Sequence, residues 1–197
     1  RSVEGLDRPD MQMMCLPLSG DARLWLPGVQ RKPISRLSVR TGYLPLKSRG
    51  WVRLRSADPR DAPRIFLNMF AEPGDIDGMF RSIRLSCGIY AQTPLRELIA
   101  RESLPGAERE SDAELAEHVR RTATHRAHPA CSCRMGTDDQ AVVDGELRVR
   151  GIDGLRVADA SVMPSLPRGN PNLACLMIGE KAADLIRGRF VPAEYPE

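Results

Sequence analysis

Three features in the last third of the chain could do chemistry: a histidine on a constrained loop, a carboxylate after an apolar run, and the start of an apolar helix. The histidine, His128, precedes Pro129, which holds the backbone of residue 128 out of the helical region and presents the imidazole on a loop. A histidine with a pKa near neutrality is the usual acceptor when a reaction removes a proton from a substrate hydroxyl. His128 therefore suits the role of a general base, although one loop histidine does not by itself identify an active site.

The carboxylate is Asp159, which ends the apolar run of residues 155–158. We expect this run to form a buried strand, and the strand ends of α/β sheets commonly meet ligands. The alternative is that Asp159 caps the turn that follows it.

The helix is predicted over residues 173–187, because this stretch is apolar nearly all round and Gly188 closes it. We expect the helix to be buried, with Gly179 permitting the close approach of another backbone. Its N-terminus at residues 170–172 has unpaired amide donors and a partial positive charge. A developing anion could be held there.

A metal site is the competing interpretation, because the same loop contains two histidines and two cysteines in an H-x2-H-x2-C-x-C pattern. These residues are His125, His128, Cys131 and Cys133. Zinc sites usually separate two ligand pairs by a longer loop, so that the four ligands can form a tetrahedron without strain. We therefore predict no metal and expect both cysteines to be loop residues without a ligand role. A small metal-binding or interaction module is the alternative function.

The elements that must position these groups begin with strands. The alternation in residues 50–56 places Val52 and Leu54 on one side and Trp51 with two arginines on the other. This pattern predicts a half-solvated antiparallel strand whose arginines face water, and residues 37–40 repeat it.

Two amphipathic helices are predicted further along the chain. Apolar residues recur at helical spacing over residues 75–91, with Asp75 available as the N-cap. Ser111 and Glu114 form the S-x-x-E pattern of a capping box, which starts the second helix. Strands followed by helices, without alternating βαβ units, predict an α+β fold in which an antiparallel sheet is flanked by helices.

Composition indicates a globular protein of a reducing compartment. The chain has 197 residues, 42% of them hydrophobic, which is enough to bury a core. Its five cysteines are an odd number without framework spacing. This cysteine usage favours a cytoplasmic location. No apolar run is long enough to span a bilayer, so we expect no membrane span. The chain begins at Arg1 rather than Met, and we therefore expect an upstream portion.

Charge is distributed unevenly. Residues 1–70 carry 13 Lys and Arg against 6 Asp and Glu, which could indicate nucleic-acid binding. The arginines alternate with apolar residues along the predicted strands, however, and the solvated face of a sheet accounts for them. We predict no nucleic-acid partner.

Four sequence runs in the last third, taken together and in this order, form a pattern specific enough to identify a family: HPACSCRMG at 128–136, GLRVADASVMP at 154–164, NPN at 170–172 and MIGEKAAD at 177–184. They resemble the C-terminal part of the glucose-methanol-choline (GMC) family of flavin-dependent oxidoreductases, most nearly its choline-dehydrogenase-like branch. A weaker similarity over residues 48–68 resembles the substrate-domain sheet of that family.

The resemblance implies an enzyme that uses FAD to oxidise a primary alcohol, with hydride passing from the carbinol carbon to flavin N5. By position, His128 is similar to the active-site base of the family and Asn170 to its second polar residue. Asp159 and Ala160 would contact the cofactor along the flavin dinucleotide. Pro171 and Asn172 would contact it where a helix opens toward the flavin pyrimidine ring.

One departure from the family pattern concerns the cofactor: no G-x-G-x-x-G fingerprint for the flavin pyrophosphate occurs in the chain. We therefore expect residues 1–135 to be part of a substrate-binding domain and residues 136–197 to be the last segment of an FAD-binding α/β domain. The expected partners are a small-molecule alcohol, an N-terminal FAD-binding portion and, as an open alternative, a second copy of the chain. A non-catalytic fragment is the alternative to an alcohol dehydrogenase or oxidase.

Overall fold

The computed structural model describes residues 2–16, 36–106, 108 and 111–189. Contacts divide the chain into two compact units, the first formed by Arg1–Ser48 and Phe70–Ala123 and the second by Arg49–Met69 and Thr124–Glu197. Both units combine antiparallel pairing with helices, so the α+β class expected from the sequence is confirmed. The division by contacts differs from the functional boundary predicted between residues 135 and 136, which stays a prediction.

The first unit contains a two-stranded antiparallel sheet. Strand β1 (Met11–Leu16) pairs with β2 (Ser38–Tyr43) in a register that places Met11 opposite Tyr43. Just beyond the strands, the N–H of Leu44 donates to the carbonyl of Asp10 at 2.9 Å and extends the pairing.

Three helices complete the first unit: α1 (Pro73–Tyr90), the short α2 (Leu95–Leu98) and α3 (Asp112–Thr122). Both predicted amphipathic helices are confirmed, and α3 begins with the expected capping box of Ser111 and Glu114. Helices α1 and α3 pack together through a core of five buried apolar side chains: Ile76, Phe80, Ile83, Leu115 and Val119.

Asp75 is not the N-cap of α1, contrary to the prediction. The helix starts two residues earlier at Pro73, because proline lacks an N–H and its fixed φ suits the first helical turn. Asp75 is 1% exposed, and its carboxylate accepts hydrogen bonds from the backbone N–H groups of Lys47 and Ser48 at 2.8–3.2 Å. The carboxylate thus fixes the loop after β2 to the first turn of α1.

Gly78 brings α1 into contact with the ring of Tyr43. A Cβ at this position would lie 2.4–2.6 Å from three atoms of the ring, closer than any real contact. The side-chain guanidinium of Arg81 lies 5.7 Å from the centroid of the same ring. A larger residue at position 78 would therefore separate the helix from the strand.

The second unit begins with β3 (Trp51–Arg53) and β4 (Arg64–Phe66), which pair antiparallel with Trp51 opposite Phe66. The two aromatic rings are in contact, with centroids 5.6 Å apart. The guanidinium of Arg53 lies 4.7 Å from the centroid of the Trp51 ring, a cation–π geometry.

The expectation that Val52 and Leu54 lie on the buried face of this strand is wrong for the sheet as described. These side chains are 54% and 85% exposed, whereas Trp51 is partly buried by its contacts with Phe66 and Arg53. The alternation of residue types correctly predicted two different faces of the strand. It could not show which face packs against other residues, because that depends on packing outside the strand.

Residues 134–156 form a compact, bridged segment in place of regular strands. Isolated bridges link Met135 to Val143, Val143 to Val149 and Arg148 to Arg156. The run at residues 155–158 is therefore a single bridge and not the buried strand that we expected, and Leu155 is 46% exposed.

Two arginines close this segment. The guanidinium of Arg134 donates to both oxygens of Asp138 at 2.6 and 2.8 Å. Arg150 donates to the backbone carbonyls of Asp138 and Gly136 at 3.0 and 2.6 Å.

The last helix of the second unit is α4 (Asn172–Arg187). None of the helices in the described ranges is long and apolar enough to cross a bilayer.

We predict that Gly78→Ala destabilises the protein by roughly 1–3 kcal/mol, because the added methyl overlaps the Tyr43 ring. Gly88→Ala is the matched control, since Gly88 lies in the same helix and its added Cβ meets no atom within 4 Å. That control is expected to gain about 0.5–1 kcal/mol from helix propensity. Urea unfolding measures both, and equal stabilities for the two variants would contradict the proposed contact.

We also predict that protonation of Asp138 contributes to the loss of folding stability in acid. The guanidinium of Arg134 and the N–H of Gln140 hold the pKa of Asp138 far below its ordinary value of 3.8. The folded state therefore favours the ionised carboxylate, so its contribution is complete above the unfolded pKa and is lost as the pH falls below it. The stability difference between wild type and Asp138→Asn should be largest at neutral pH and shrink below about pH 4.

Chemical unfolding across this pH range is the measurement. Asp139→Asn is the control, because the described structure gives the exposed Asp139 side chain no hydrogen bond. A difference between wild type and Asp138→Asn that stays constant with pH would contradict the prediction.

Candidate active site

His128 lies on a loop whose backbone is unusual on both sides. Its side chain is exposed, and the neighbouring residues Ala127 and Cys131 have φ values of +57° and +72°. Non-glycine residues seldom adopt positive φ, and such positions persist where the surrounding structure holds them. Local backbone preference alone would therefore not select the conformation of the loop that presents His128.

His125 helps to fix this conformation. The backbone N–H of Ala127 donates to Nδ1 of His125 at 3.1 Å, which closes a turn immediately before His128. His125, a possible metal ligand by its spacing, is thus a loop-shaping residue. The sequence gives no signal for this role, because the acceptor atom becomes identifiable only when the turn is seen.

Three backbone hydrogen bonds, which we call the loop ladder, join the His128 loop to a 3-10 turn at Ala160–Val162. The N–H groups of residues 131, 133 and 135 donate to the carbonyls of residues 160, 161 and 162 at 3.3, 2.9 and 2.8 Å. The loop ladder brings the segment of the candidate base against the segment of Asp159 and Ala160, as the candidate site requires.

Asp159 caps this turn. Its Oδ1 accepts a hydrogen bond from the N–H of Ser161 at 2.7 Å, which is the structural role considered as the alternative for this residue. The cap uses one carboxylate oxygen and leaves the side chain exposed, whereas Ala160 is partly buried. Asp159 can therefore hold the turn and still present a carboxylate oxygen to a ligand.

The N-terminus of α4 is open to an anion. Pro171 is the N-cap, no side chain caps the helix, and its first turn contains no acidic residue. The amide groups of the first turn therefore lack the side-chain acceptor that most helices supply, and the partial positive charge there is not neutralised locally. Asn170 and Asn172, on either side of Pro171, are exposed.

The three segments pack on one apolar core. Val143, Leu147, Val162, Met163, Ile178 and Ala182 form its buried part. Ala130 and Cys131 of the loop, Ala160 of the turn, and Ala174 and Cys175 of α4 pack against that part. Within the described residues, the side chains of His128 and Asn170 make no hydrogen bond with each other. The structure thus brings their segments together without joining the two side chains directly.

The expected burial of α4 is wrong for the chain as described. Only Ile178 and Ala182 are buried, and three apolar residues of its first half remain largely exposed: Leu173 at 78%, Leu176 at 60% and Met177 at 65%. A Cβ at Gly179 would meet no atom within 4 Å. One side of the helix faces the core and the other has no covering element in the described structure.

The four residues of the alternative metal site do not form a group of ligands. No group of three His, Cys, Asp or Glu side chains suited to hold a metal ion occurs in the described ranges, which include His125, His128, Cys131 and Cys133. Burial raises the pKa of the Cys131 thiol, while the positive charge of Arg49 acts in the opposite direction. The cysteines are loop residues whose backbones carry the loop ladder.

Comparisons with known proteins place these observations in a family. Residues 47–179 match the C-terminal model of the GMC oxidoreductase family. The chain is 44% identical over 181 residues to an oxygen-dependent choline dehydrogenase of Paraburkholderia phymatum, and the match covers 92% of this chain and 31% of that protein.

Two solved structures share the fold. Pyridoxine 4-oxidase from Mesorbium loti is 30% identical with a TM-score of 0.80, covering 93% of this chain and 35% of its own. A formate oxidase of Aspergillus oryzae is 32% identical with a TM-score of 0.80, covering 93% and 32%. The chain thus spans about a third of the length of each of these relatives. With its motifs, its fold and the family model in agreement, the chain belongs to the GMC oxidoreductase family.

Proposed function

We propose that this chain supplies the proton-accepting histidine and the anion-stabilising helix of an FAD-dependent enzyme that oxidises a primary alcohol. The observation that carries the proposal is the loop ladder, which sets the His128 loop against the turn of Asp159 and Ala160. Family membership supports it, since the relatives include a choline dehydrogenase and two oxidases. An N-terminal FAD-binding portion, corresponding to the unmatched part of the relatives, is proposed as the partner that completes the enzyme.

The open N-terminus of α4 fits a flavin. When bound, FAD would accept the hydride of the carbinol carbon at N5 and gain negative charge around its pyrimidine ring. Pro171 and Asn172 would face that ring, and the uncapped amide groups behind them would stabilise the charge without a lysine. Asp159 and Ala160 would lie along the dinucleotide.

His128 and Asn170 would act on the substrate hydroxyl. His128 would accept its proton, so that the carbinol carbon becomes alkoxide-like and releases hydride more readily. Asn170 would hydrogen-bond the same oxygen. Both contacts strengthen as negative charge develops on that oxygen, so both lower the barrier more than they stabilise the bound alcohol.

The domain assignment follows from these roles. Residues 1–135 are proposed as part of the substrate-binding domain and residues 136–197 as the last segment of the FAD-binding domain. A cytoplasmic location is also proposed, because five cysteines without framework spacing suit a reducing compartment. A second copy of the chain stays an open alternative as a partner.

The first test removes the base. We predict that His128→Ala slows flavin reduction by an alcohol about 10²–10⁴-fold in the holoenzyme, measured anaerobically by stopped-flow absorbance. The remaining rate should rise with pH, since ionised alcohol needs no base. His118→Ala is the control, because His118 lies on α3 and bonds Thr122 of the same helix. Equal rates for wild type and His128→Ala would contradict the proposal.

The second test concerns Asn170. Asn170→Ala should lower the same rate constant about tenfold, as expected for one hydrogen bond that strengthens in the transition state. Asn170→His should recover most of the loss, because its imidazole can also donate to the alcohol oxygen. An alanine variant as fast as wild type would show that Asn170 does not contact the reacting oxygen.

A further inference from the structure

A second histidine precedes the candidate base, and the proposed reaction gives it no role. His125 lies three residues before His128, and its Nδ1 accepts a hydrogen bond from the backbone N–H of Ala127 at 3.1 Å. A ring nitrogen that accepts a hydrogen bond carries no proton, so the neutral ring has its proton on Nε2. The imidazole of His125 thus holds the residue that is directly bonded to the candidate base.

The backbone of Ala127 is in the left-handed region. Its φ is +57°, a conformation that a residue with a Cβ adopts at a cost. The Ala127 side chain is exposed, so burial of that side chain does not offset the cost. The hydrogen bond to His125 fixes the peptide plane before Ala127, and φ of Ala127 then sets the direction in which the chain enters His128.

The loop is held in a different way on the other side of His128. Cys131 also has a positive φ, +72°, but its N–H belongs to the loop ladder and its side chain packs against the apolar core. The bonds of the loop ladder join backbone groups, which every non-proline residue carries. The bond on the N-terminal side needs an acceptor in the side chain of residue 125. The placement of His128 therefore depends on which residue occupies that position.

We propose that His125 is a positioning residue for the reaction, whose neutral imidazole holds the N–H of Ala127 and so sets the direction from which His128 meets the substrate hydroxyl. The role requires no contact between His125 and the substrate or the flavin. A loop that spends less time in the competent conformation lowers the rate in proportion to the lost population. This inference rests on the proposed alcohol oxidation and adds a residue that acts through the backbone.

The experiment measures flavin reduction by stopped-flow absorbance in the holoenzyme, with choline or pyridoxine, whichever reduces the wild-type flavin faster. His125→Ala should lower the limiting rate constant about 3- to 10-fold, as expected for one lost hydrogen bond, and leave the apparent Kd of the alcohol unchanged. His125→Asn should restore most of the rate, because an asparagine oxygen can accept the N–H two residues further on. His125→Gln, whose oxygen lies one bond farther from the backbone, should resemble His125→Ala.

A second comparison tests whether the effect passes through Ala127. Glycine adopts positive φ without the cost of a Cβ, so in Ala127→Gly the loop needs the hydrogen bond less. His125→Ala should therefore reduce the rate by a smaller factor in Ala127→Gly than in wild type. Cys131→Gly is the control, because the positive φ at Cys131 is held by the loop ladder. In that variant His125→Ala should reduce the rate by the same factor as in wild type.

Three results would overturn the inference: a wild-type rate in His125→Ala, no recovery in His125→Asn, or equal losses in wild type and Ala127→Gly. A lowered flavin content or a raised alcohol Kd in His125→Ala would also overturn it, since the imidazole would then serve binding. His128→Ala, measured alongside, separates this failure from that of the proposed function. If His128→Ala is as fast as wild type, the proposed base is removed and this inference with it. If His128→Ala is slow and His125→Ala is not, the inference alone fails.

Discussion

The loop ladder is the constraint on which the candidate site depends. Its three hydrogen bonds use backbone groups only, so they fix where the His128 loop lies without specifying the side chains that it presents. The turn that accepts these bonds is itself held by the cap of Asp159 on Ser161. The position of the imidazole therefore depends on the loop ladder, on the 3-10 turn that accepts its hydrogen bonds, and on the carboxylate that caps this turn.

Local patterns predicted those parts of the fold that local interactions determine. The periodicity of α1 and the capping box of α3 depend on residues a few positions apart, and both were readable from the chain. Asp75 is not the predicted N-cap because Pro73 already starts the helix, which leaves the carboxylate to bind the backbone of a loop 27 residues away. A contact of that separation has no local signature.

The candidate site shows the same division. Histidine, carboxylate and helix start could be identified by residue type and order. The loop ladder could not, because it joins an irregular loop to a turn through main-chain donors and acceptors that every non-proline residue carries. Burial of α4 was overestimated, since an apolar stretch shows that a helix can be covered and not what covers it. The hydrogen bond from the N–H of Ala127 to His125 likewise has no sequence pattern.

Relatives with this backbone are named for different small molecules: choline, pyridoxine and formate. Pyridoxine 4-oxidase and formate oxidase superpose on the chain equally well, with TM-scores of 0.80. The shared backbone therefore does not choose the substrate. That choice is left to side chains that differ among the relatives.

The open start of α4 has a consequence for any attempt to stabilise this protein. A Ser or Asp at position 171 would supply the missing cap, an interaction of about 1 kcal/mol, once its backbone left the αR conformation of Pro171 (φ −77°, ψ −5°) for the extended region. The capping oxygen would then occupy the same amide donors that an anion needs. Thermal stability and anion affinity thus draw on one set of N–H groups at this position, so selection for the first would act against the second.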